Sequence, residues 1–340
     1  MMPPSTASIE SLADELRRGN RRALAQAITL VESTHPEHRV RAQSLIQHLL
    51  PASGASLRIG ISGPPGAGKS TFLDAFGSYL ADKNHKVAVL AIDPSSVQRQ
   101  QGSGSGGAIL GDKTRMSTLA LHKNAFIRPS PSRGMLGGTA PKTYETIILC
   151  EAAGYDTLFI ETVGVGQSEV NVANLTDMLI LILPPASGDS LQGIKRGIME
   201  VADLILINKA DGNTEKMARL SAQNYHAAVR LLPQKRDSWH TSVIAISALA
   251  KKGLDETEHV LKQFKQDAQT SGYLANERNK QAQNAFWQSL HQTLYEHLHT
   301  EPKLKKIIQQ LYKRIEQKQA TPQQAANDAI LALYAQHNKG

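Results

Sequence analysis

The chain has 340 residues, 41% hydrophobic and 20% charged, which excludes a wholly disordered polypeptide and implies a main domain with appended elements. Its net charge of +8 is scattered and only 5% of residues are aromatic, so no basic groove with stacking rings is visible: no nucleic-acid partner is expected, and the charge suits an anionic ligand. The longest apolar run, Met178 to Leu183, is too short to cross a bilayer, the start lacks secretion-signal features, and the lone Cys150 fits a reducing compartment, so the expectation is a cytoplasmic protein without a membrane partner.

Residues 1 to 54 read as an N-terminal helical arm, because Leu12 and Leu16, then Leu24, Ile28 and Val31, then Leu45 and Leu49 recur at helical spacing before Pro51 and Gly54. From Leu57 the pattern changes to short apolar runs that end in turn residues: LRIGIS, KVAVLAID, AFIRP, YDTLFIE, DMLILIL, ADLILIN and SVIAIS. Such runs, separated by helix-length segments, predict a mostly parallel, doubly wound α/β sheet over residues 55 to 252. Cys150 reads as a buried helix cysteine. Residues 253 to 340 return to amphipathic helices, with Leu304, Ile307, Ile308, Leu311, Tyr312 and Ile315 on one stripe and Thr321-Pro322 as a helix start. That stripe needs a partner, either the α/β domain or a second copy of the chain.

GPPGAGKS, Gly63 to Ser70, lies between the strand LRIGIS and a helical pattern, the context a P-loop needs. Glycines at 63, 66 and 68 let the backbone curl so that successive amides point at phosphate oxygens beside a helix N-terminus. Lys69 would sit against the β and γ phosphates, and Ser70 would offer its hydroxyl to magnesium. An acidic residue on a neighbouring strand end is the expected metal partner; Glu161 holds that position where Asp is usual, and Gly164 follows as a γ-phosphate sensor. Asp93 at the end of KVAVLAID is a second candidate metal carboxylate and Asp112 a third.

NKAD, Asn208 to Asp211, ends the strand ADLILIN. A carboxylate at Asp211 accepts from both N1-H and the 2-amino group of guanine, donors that adenine lacks, while Lys209 lies along the base and Asn208 ties its loop to the P-loop. After the strand SVIAIS, the run Ser247, Ala248 and Leu249 offers a backbone amide to guanine O6. The predicted reaction is in-line attack of water on GTP, with Lys69 and magnesium stabilising the charge and Gln167 a candidate to orient the water.

The order of these blocks, Asp93-Pro-Ser-Ser, SGGAILGDKTRM, FIRPSPSRGMLGG, ETVGVGQSEV, DSLQGIKRGIMEVAD and NKAD, resembles the MeaB (ArgK-like, MMAA-like) GTPases, the chaperones of adenosylcobalamin-dependent methylmalonyl-CoA mutase. The resemblance covers about residues 10 to 310 and implies a P-loop GTPase fold, phosphate contacts from Gly66 to Thr71, Ala67 among them, magnesium near Ser70, Asp93, Asp112 and Glu161, and a homodimer held by the C-terminal helices. It matches Asp189, Gln192 and Lys195 to the loop called switch III, which couples the mutase to hydrolysis; from the basic, Gly-punctuated segment DSLQGIKRG, Lys195 or its loop is expected to complete the site when the mutase docks. The run VQRQQGSG between Asp93 and Asp112 lengthens the family's usual spacing. Three alternatives differ in chemistry: a small-molecule or protein kinase, for which a guanine-selecting Asp211 has no use; a GTP-dependent metallochaperone, which needs a His tract or paired Cys; and a GTP-binding scaffold without turnover.

Overall fold

The computed structural model describes residues 8–93, 116–131, 139–162, 172–185, 196–233, 236 and 238–337. Its centre is a seven-stranded sheet of β1 (Leu57–Ser62), β2 (Val87–Asp93), β3 (Ala125–Pro131), β4 (Thr157–Thr162), β5 (Met178–Leu183), β6 (Leu204–Ile207) and β7 (Ser242–Ala245). The order across the sheet is β3-β2-β4-β1-β5-β6-β7, and every described pairing is parallel. All seven predicted strands are present. β2, β3 and β4 lie on one side of β1 and β5, β6 and β7 on the other, so its carboxyl end opens at the switch point where α/β sheets bind ligands.

Alternate residues of each strand enter different cores, which is why the runs are apolar throughout. Leu57, Ile59, Ile61, Val89, Phe159, Ile180 and Leu206 face one layer, where Phe72, Phe76 and Leu80 of α4 (Lys69–Asp82) meet Val260, Leu261 and Phe264 of α9 (Leu254–Thr270). Ala88, Leu90, Leu158, Ile160 and Leu179 face the opposite layer. There they meet three N-terminal helices, α1 (Ile9–Arg17), α2 (Arg21–Glu32) and α3 (Pro36–Leu49), through Leu16, Leu24, Ile28, Leu45 and Leu49. Ile147, Leu149 and Cys150 of α6 (Thr139–Ala152) complete it, so the N-terminal helices cover the sheet directly. Cys150 is fully buried, and burial pushes its thiol well above the ordinary value. Towards β6 that face is closed by Ala218 and Tyr225 of α8 (Glu215–Val229).

Two compact units divide the chain, Met1–Gln283 and Asn284–Gly340. The first reaches past residue 252 because Phe264 and Ala268 of α9 belong to the sheet core. It also takes in the start of α10 (Tyr273–Thr300), where Gln281 is buried and donates to Thr176 O at 2.8 Å. The second unit contains a hairpin of α11 (Pro302–Glu316) and α12 (Pro322–His337), with Leu311, Ala325 and Ala329 packed beside Ile307, Ile308 and Ile315. Its second helix opens with a capping box: Thr321 Oγ1 accepts from Gln324 N at 3.2 Å and Gln324 Oε1 from Thr321 N at 3.0 Å. Tyr312, at the edge of the expected apolar stripe, is 54% exposed, while Leu311 is buried in the seam. No described helix is long and apolar enough to cross a membrane.

Candidate nucleotide site

The P-loop forms where β1 ends at Ser62 and α4 starts at Lys69. Two glycines make the close turn possible. Gly63 has φ +149°, and a Cβ there would collide with the Ile182 carbonyl of neighbouring β5; Gly68, at φ +90°, lies equally tight against the Asn208 side chain. Gly66, Ala67, Ser70 and Thr71 continue the same turn into the first residues of α4, which presents its free N-terminal amides to the space above the loop.

Lys69 folds back over this loop, its ammonium donating to Gly63 O at 2.8 Å and Pro64 O at 3.3 Å. Burial pulls its pKa below the ordinary value, while the charge of Glu161 pulls it the other way. A half-desolvated ammonium gains from any anion placed beside it, so the position is receptive to phosphate. Glu161 is buried near the carboxyl end of β4, paired in register with Ile61 of β1, and its Oε1 accepts from Ser70 Oγ at 3.3 Å. The hydroxyl and carboxylate thus stand together as hard oxygen donors beside the P-loop, a set that suits magnesium. Asp93 is the last residue of β2, a strand that pairs with β4, so its backbone ends at the same rim.

The NKAD segment is anchored through Asn208. Its Nδ2 donates to Ala67 O at 2.9 Å, and its Oδ1 accepts from Lys209 N at 2.8 Å and Ala248 N at 3.1 Å. One buried carboxamide therefore joins three loops, at the ends of β1, β6 and β7. Lys209 adopts φ +65°, a left-handed conformation that costs a non-glycine residue about 1 kcal/mol or more. The fixed amide on Asn208 holds it there, together with Thr214 Oγ1, which donates to Lys209 O at 2.5 Å and Asp211 O at 2.9 Å. Sequence reasoning passes over Thr214; its only signal is a hydroxyl three residues after an Asp, the spacing of a local turn bond. Asp211 is half-buried and does not cap the short turn Gly212–Thr214 that follows it, which leaves helix capping out of its role. Ser247 is buried; its Oγ accepts from Ala250 N at 3.0 Å, which shapes the loop that presents Ala248.

The structure thus brings together the P-loop residues, Glu161, Asn208, Lys209, Asp211, Ser247 and Ala248 at one edge of the sheet. Asp112, Gly164, Gln167, Asp189, Gln192 and Lys195 lie outside the described residues.

The chain is similar to known proteins along most of its length. A family model described as methylmalonyl Co-A mutase-associated GTPase MeaB matches residues 24–303. A probable GTPase of Mycobacterium bovis is 45% identical over 323 residues, covering 95% of this chain and 94% of the relative. The mitochondrial methylmalonic aciduria type A homolog of Mus musculus is 43% identical, over 97% of this chain and 80% of its own. Among solved structures, one titled LAO/AO transport system kinase superposes with a TM-score of 0.74 at 36% identity, covering 98% of this chain and all of the other.

Proposed function

The chain belongs to the MeaB family of methylmalonyl-CoA mutase-associated GTPases, and from that premise we propose that its GTP hydrolysis is magnesium-dependent and serves a mutase client. The observation that carries the nucleotide reading is the triple anchorage of Asn208, which joins the NKAD segment and the Ala248 loop to the P-loop. Asp211 selects guanine through the N1-H and 2-amino donors, the alkyl stem of Lys209 lies along the base, and Ala248 marks the loop whose amides meet O6. Gly63 to Thr71 cradle the phosphates, and Lys69 exchanges its loop carbonyls for β and γ phosphate oxygens.

Ser70 and Glu161 would hold magnesium with Asp93 and Asp112, and the ion would supply charge neutralisation across the β-γ bridge. Gln167 orients the attacking water and Gly164 senses the γ-phosphate. Intrinsic turnover is slow because one stabilising group arrives with the partner: Lys195, in the switch III segment with Asp189 and Gln192, completes the site when the mutase docks. In this reading the GTPase gates loading of the cobalamin cofactor and protects or reactivates the mutase, in the cytoplasm. The active form is a homodimer held by the C-terminal helices, a role supported by the exposed Trp287, Tyr295, Leu331 and Tyr334 of the second unit.

The test is phosphate release from GTP and from ATP with magnesium, alone and with equimolar methylmalonyl-CoA mutase. Preference for GTP and a strong rise with mutase are expected. Slow GTP turnover indifferent to mutase would discard the client, and a preference for ATP would overturn the assignment of Asp211.

A further inference from the structure

Thr214 stands where a hydroxyl has an ordinary use, and it serves a different one. It is the N-cap of α8, a position at which threonine usually accepts from the free amides of the first helical turn. No such bond forms. The hydroxyl instead turns back and shares its proton between Lys209 O at 2.5 Å and Asp211 O at 2.9 Å. The helix thereby forgoes a stabilising cap, and local rules are broken in this way where function makes a competing demand.

The main chain on both sides of Asp211 is fixed as a result. Upstream, Lys209 is held left-handed at φ +65°, its amide on Asn208 Oδ1 at 2.8 Å and its carbonyl on the Thr214 hydroxyl. Between them Ala210 N donates to Ile246 O at 2.9 Å. Downstream, Asp211 O accepts both the Thr214 hydroxyl and, at 3.1 Å, the Thr214 amide. That amide is a donor that a carboxylate at Asp211 would take if it capped the turn Gly212–Thr214, and the carboxylate makes no cap bond. Thr214 therefore satisfies the backbone of Asp211 and leaves the acid group to partners from outside the turn.

Resting on the guanine reading above, we infer that Thr214 is a positioning residue for base recognition: its hydroxyl fixes the main chain of Asp211 so that both carboxylate oxygens accept together from the edge of the base. Two simultaneous hydrogen bonds need a set direction as well as reach, whereas a single one tolerates a swing of the side chain. The residue thus serves discrimination for 2-aminopurine nucleotides, which offer N1-H and the 2-amino group, against hypoxanthine nucleotides, which offer N1-H alone. A residue that only held the fold together would affect all ligands of the site alike.

The test is equilibrium binding of GDP, inosine diphosphate, ADP and inorganic pyrophosphate to the full-length protein with magnesium, for the wild type, Thr214→Val and Thr214→Ser. Thr214→Val keeps the shape and removes the hydroxyl, and it is expected to weaken GDP about fivefold, inosine diphosphate by less than about twofold and pyrophosphate not at all. Thr214→Ser keeps the hydroxyl and is expected to stay within about twofold of the wild type for each of these. Unchanged GDP affinity in Thr214→Val would overturn the inference. So would an equal loss of GDP, inosine diphosphate and pyrophosphate, or a serine variant as weak as the valine one. A wild type that binds ADP as tightly as GDP would overturn the guanine reading of Asp211, and the inference with it; that failure shows before any substitution is made.

Discussion

The two ends of the sheet use acidic side chains for opposite purposes. At the amino ends Asp156, Asp177 and Asp203 each stand just before a strand and accept a main-chain N-H from the neighbouring chain segment: Lys86 N at 3.0 Å, Arg58 N at 2.9 Å and Leu179 N at 2.8 Å. Around the last two, buried cations finish the pairing. Arg278 Nη2 lies 2.7 Å from Asp177 and Arg236 Nη2 lies 2.6 Å from Asp203, while Arg58 and Glu151 pair at 2.8 Å. The Arg236 guanidinium also stacks over Tyr273 at 4.0 Å and Phe264 at 4.5 Å. At the carboxyl ends Glu161 meets a serine hydroxyl and a half-buried lysine, and Asp211 leaves its helix-cap position unused. One end is closed by mutual neutralisation, and the other holds polar groups that a charged ligand would complete. Strand polarity decides which, because the turns that leave the carboxyl ends carry the free amides and the glycines.

The sharpest break of that contrast is Glu151→Ala. It leaves Arg58 buried beneath the sheet without its carboxylate, and the expected loss is about 3 to 5 kcal/mol of stability, read as a lower urea midpoint. Burial raises the Glu151 pKa, but the Arg58, Ser56 and Gly54 hydrogen bonds outweigh it and leave it lowered. Its contribution is therefore in place above the unfolded value and is lost as pH falls through the lower folded one. Nucleotide affinity of the folded fraction should stay within about threefold. If affinity fell as far as stability, the two ends would not be separable.

Lys69→Ala is the converse, removing a charge from the open end. Turnover of GTP should fall by roughly 10²-fold to 10³-fold, while the nucleotide-free thermal midpoint holds or rises because a desolvated ammonium has been removed. A lower midpoint would make Lys69 a structural residue that staples its own loop. Next in size is Asp211→Asn, expected to weaken GTP by about 10²-fold and to admit xanthosine triphosphate, whose 2-oxo group can accept from the new amide. Equal binding of both nucleotides by the wild type would contradict base-edge reading.

The same contrast explains what was legible in the sequence. The sheet could be read because each strand is a short apolar run closed by turn residues, and Glu161 and the NKAD segment could be placed because a P-loop calls for partners at neighbouring strand ends. The strand-start aspartates were equally visible in YDTLFIE, DMLILIL and ADLILIN, yet their role was not. Asp177 acts through Arg58 and Arg278, each about a hundred residues away, and no local spacing encodes such a pairing. Tyr312 fits a helical stripe by spacing alone, but the partner helix covers only the seam through Leu311, and this follows from how the hairpin packs.

The helix α4 joins the two regimes, and its far end gives the smallest effect. It starts at the P-loop with unpaired amides and finishes at Tyr79 and Lys83, which both bond Glu258 of α9; Lys262 lies 2.6 Å from the same carboxylate. Burial acts to raise the Glu258 pKa, but the Lys262, Lys83 and Tyr79 hydrogen bonds prevail and bring it down to about 2 from an ordinary 4.5. A lowered carboxylate stabilises the fold fully above the unfolded value, so this contribution is present at neutral pH and disappears as pH falls from about 4.5 through 2. Glu258→Gln should therefore lower the thermal midpoint by about 1 to 3 °C at pH 7, in the range of partly solvated ion pairs, and by progressively less in acid. GTP turnover should not change, since the cluster lies at the opposite end of α4 from Lys69. A midpoint difference that stayed constant down to pH 3 would mean that hydrogen-bond shape, not charge, fastens this end of the helix. A fall in turnover would mean that paired charges at the end of α4 help to position the phosphate site, and the separation between the two ends of the sheet would then fail along this helix.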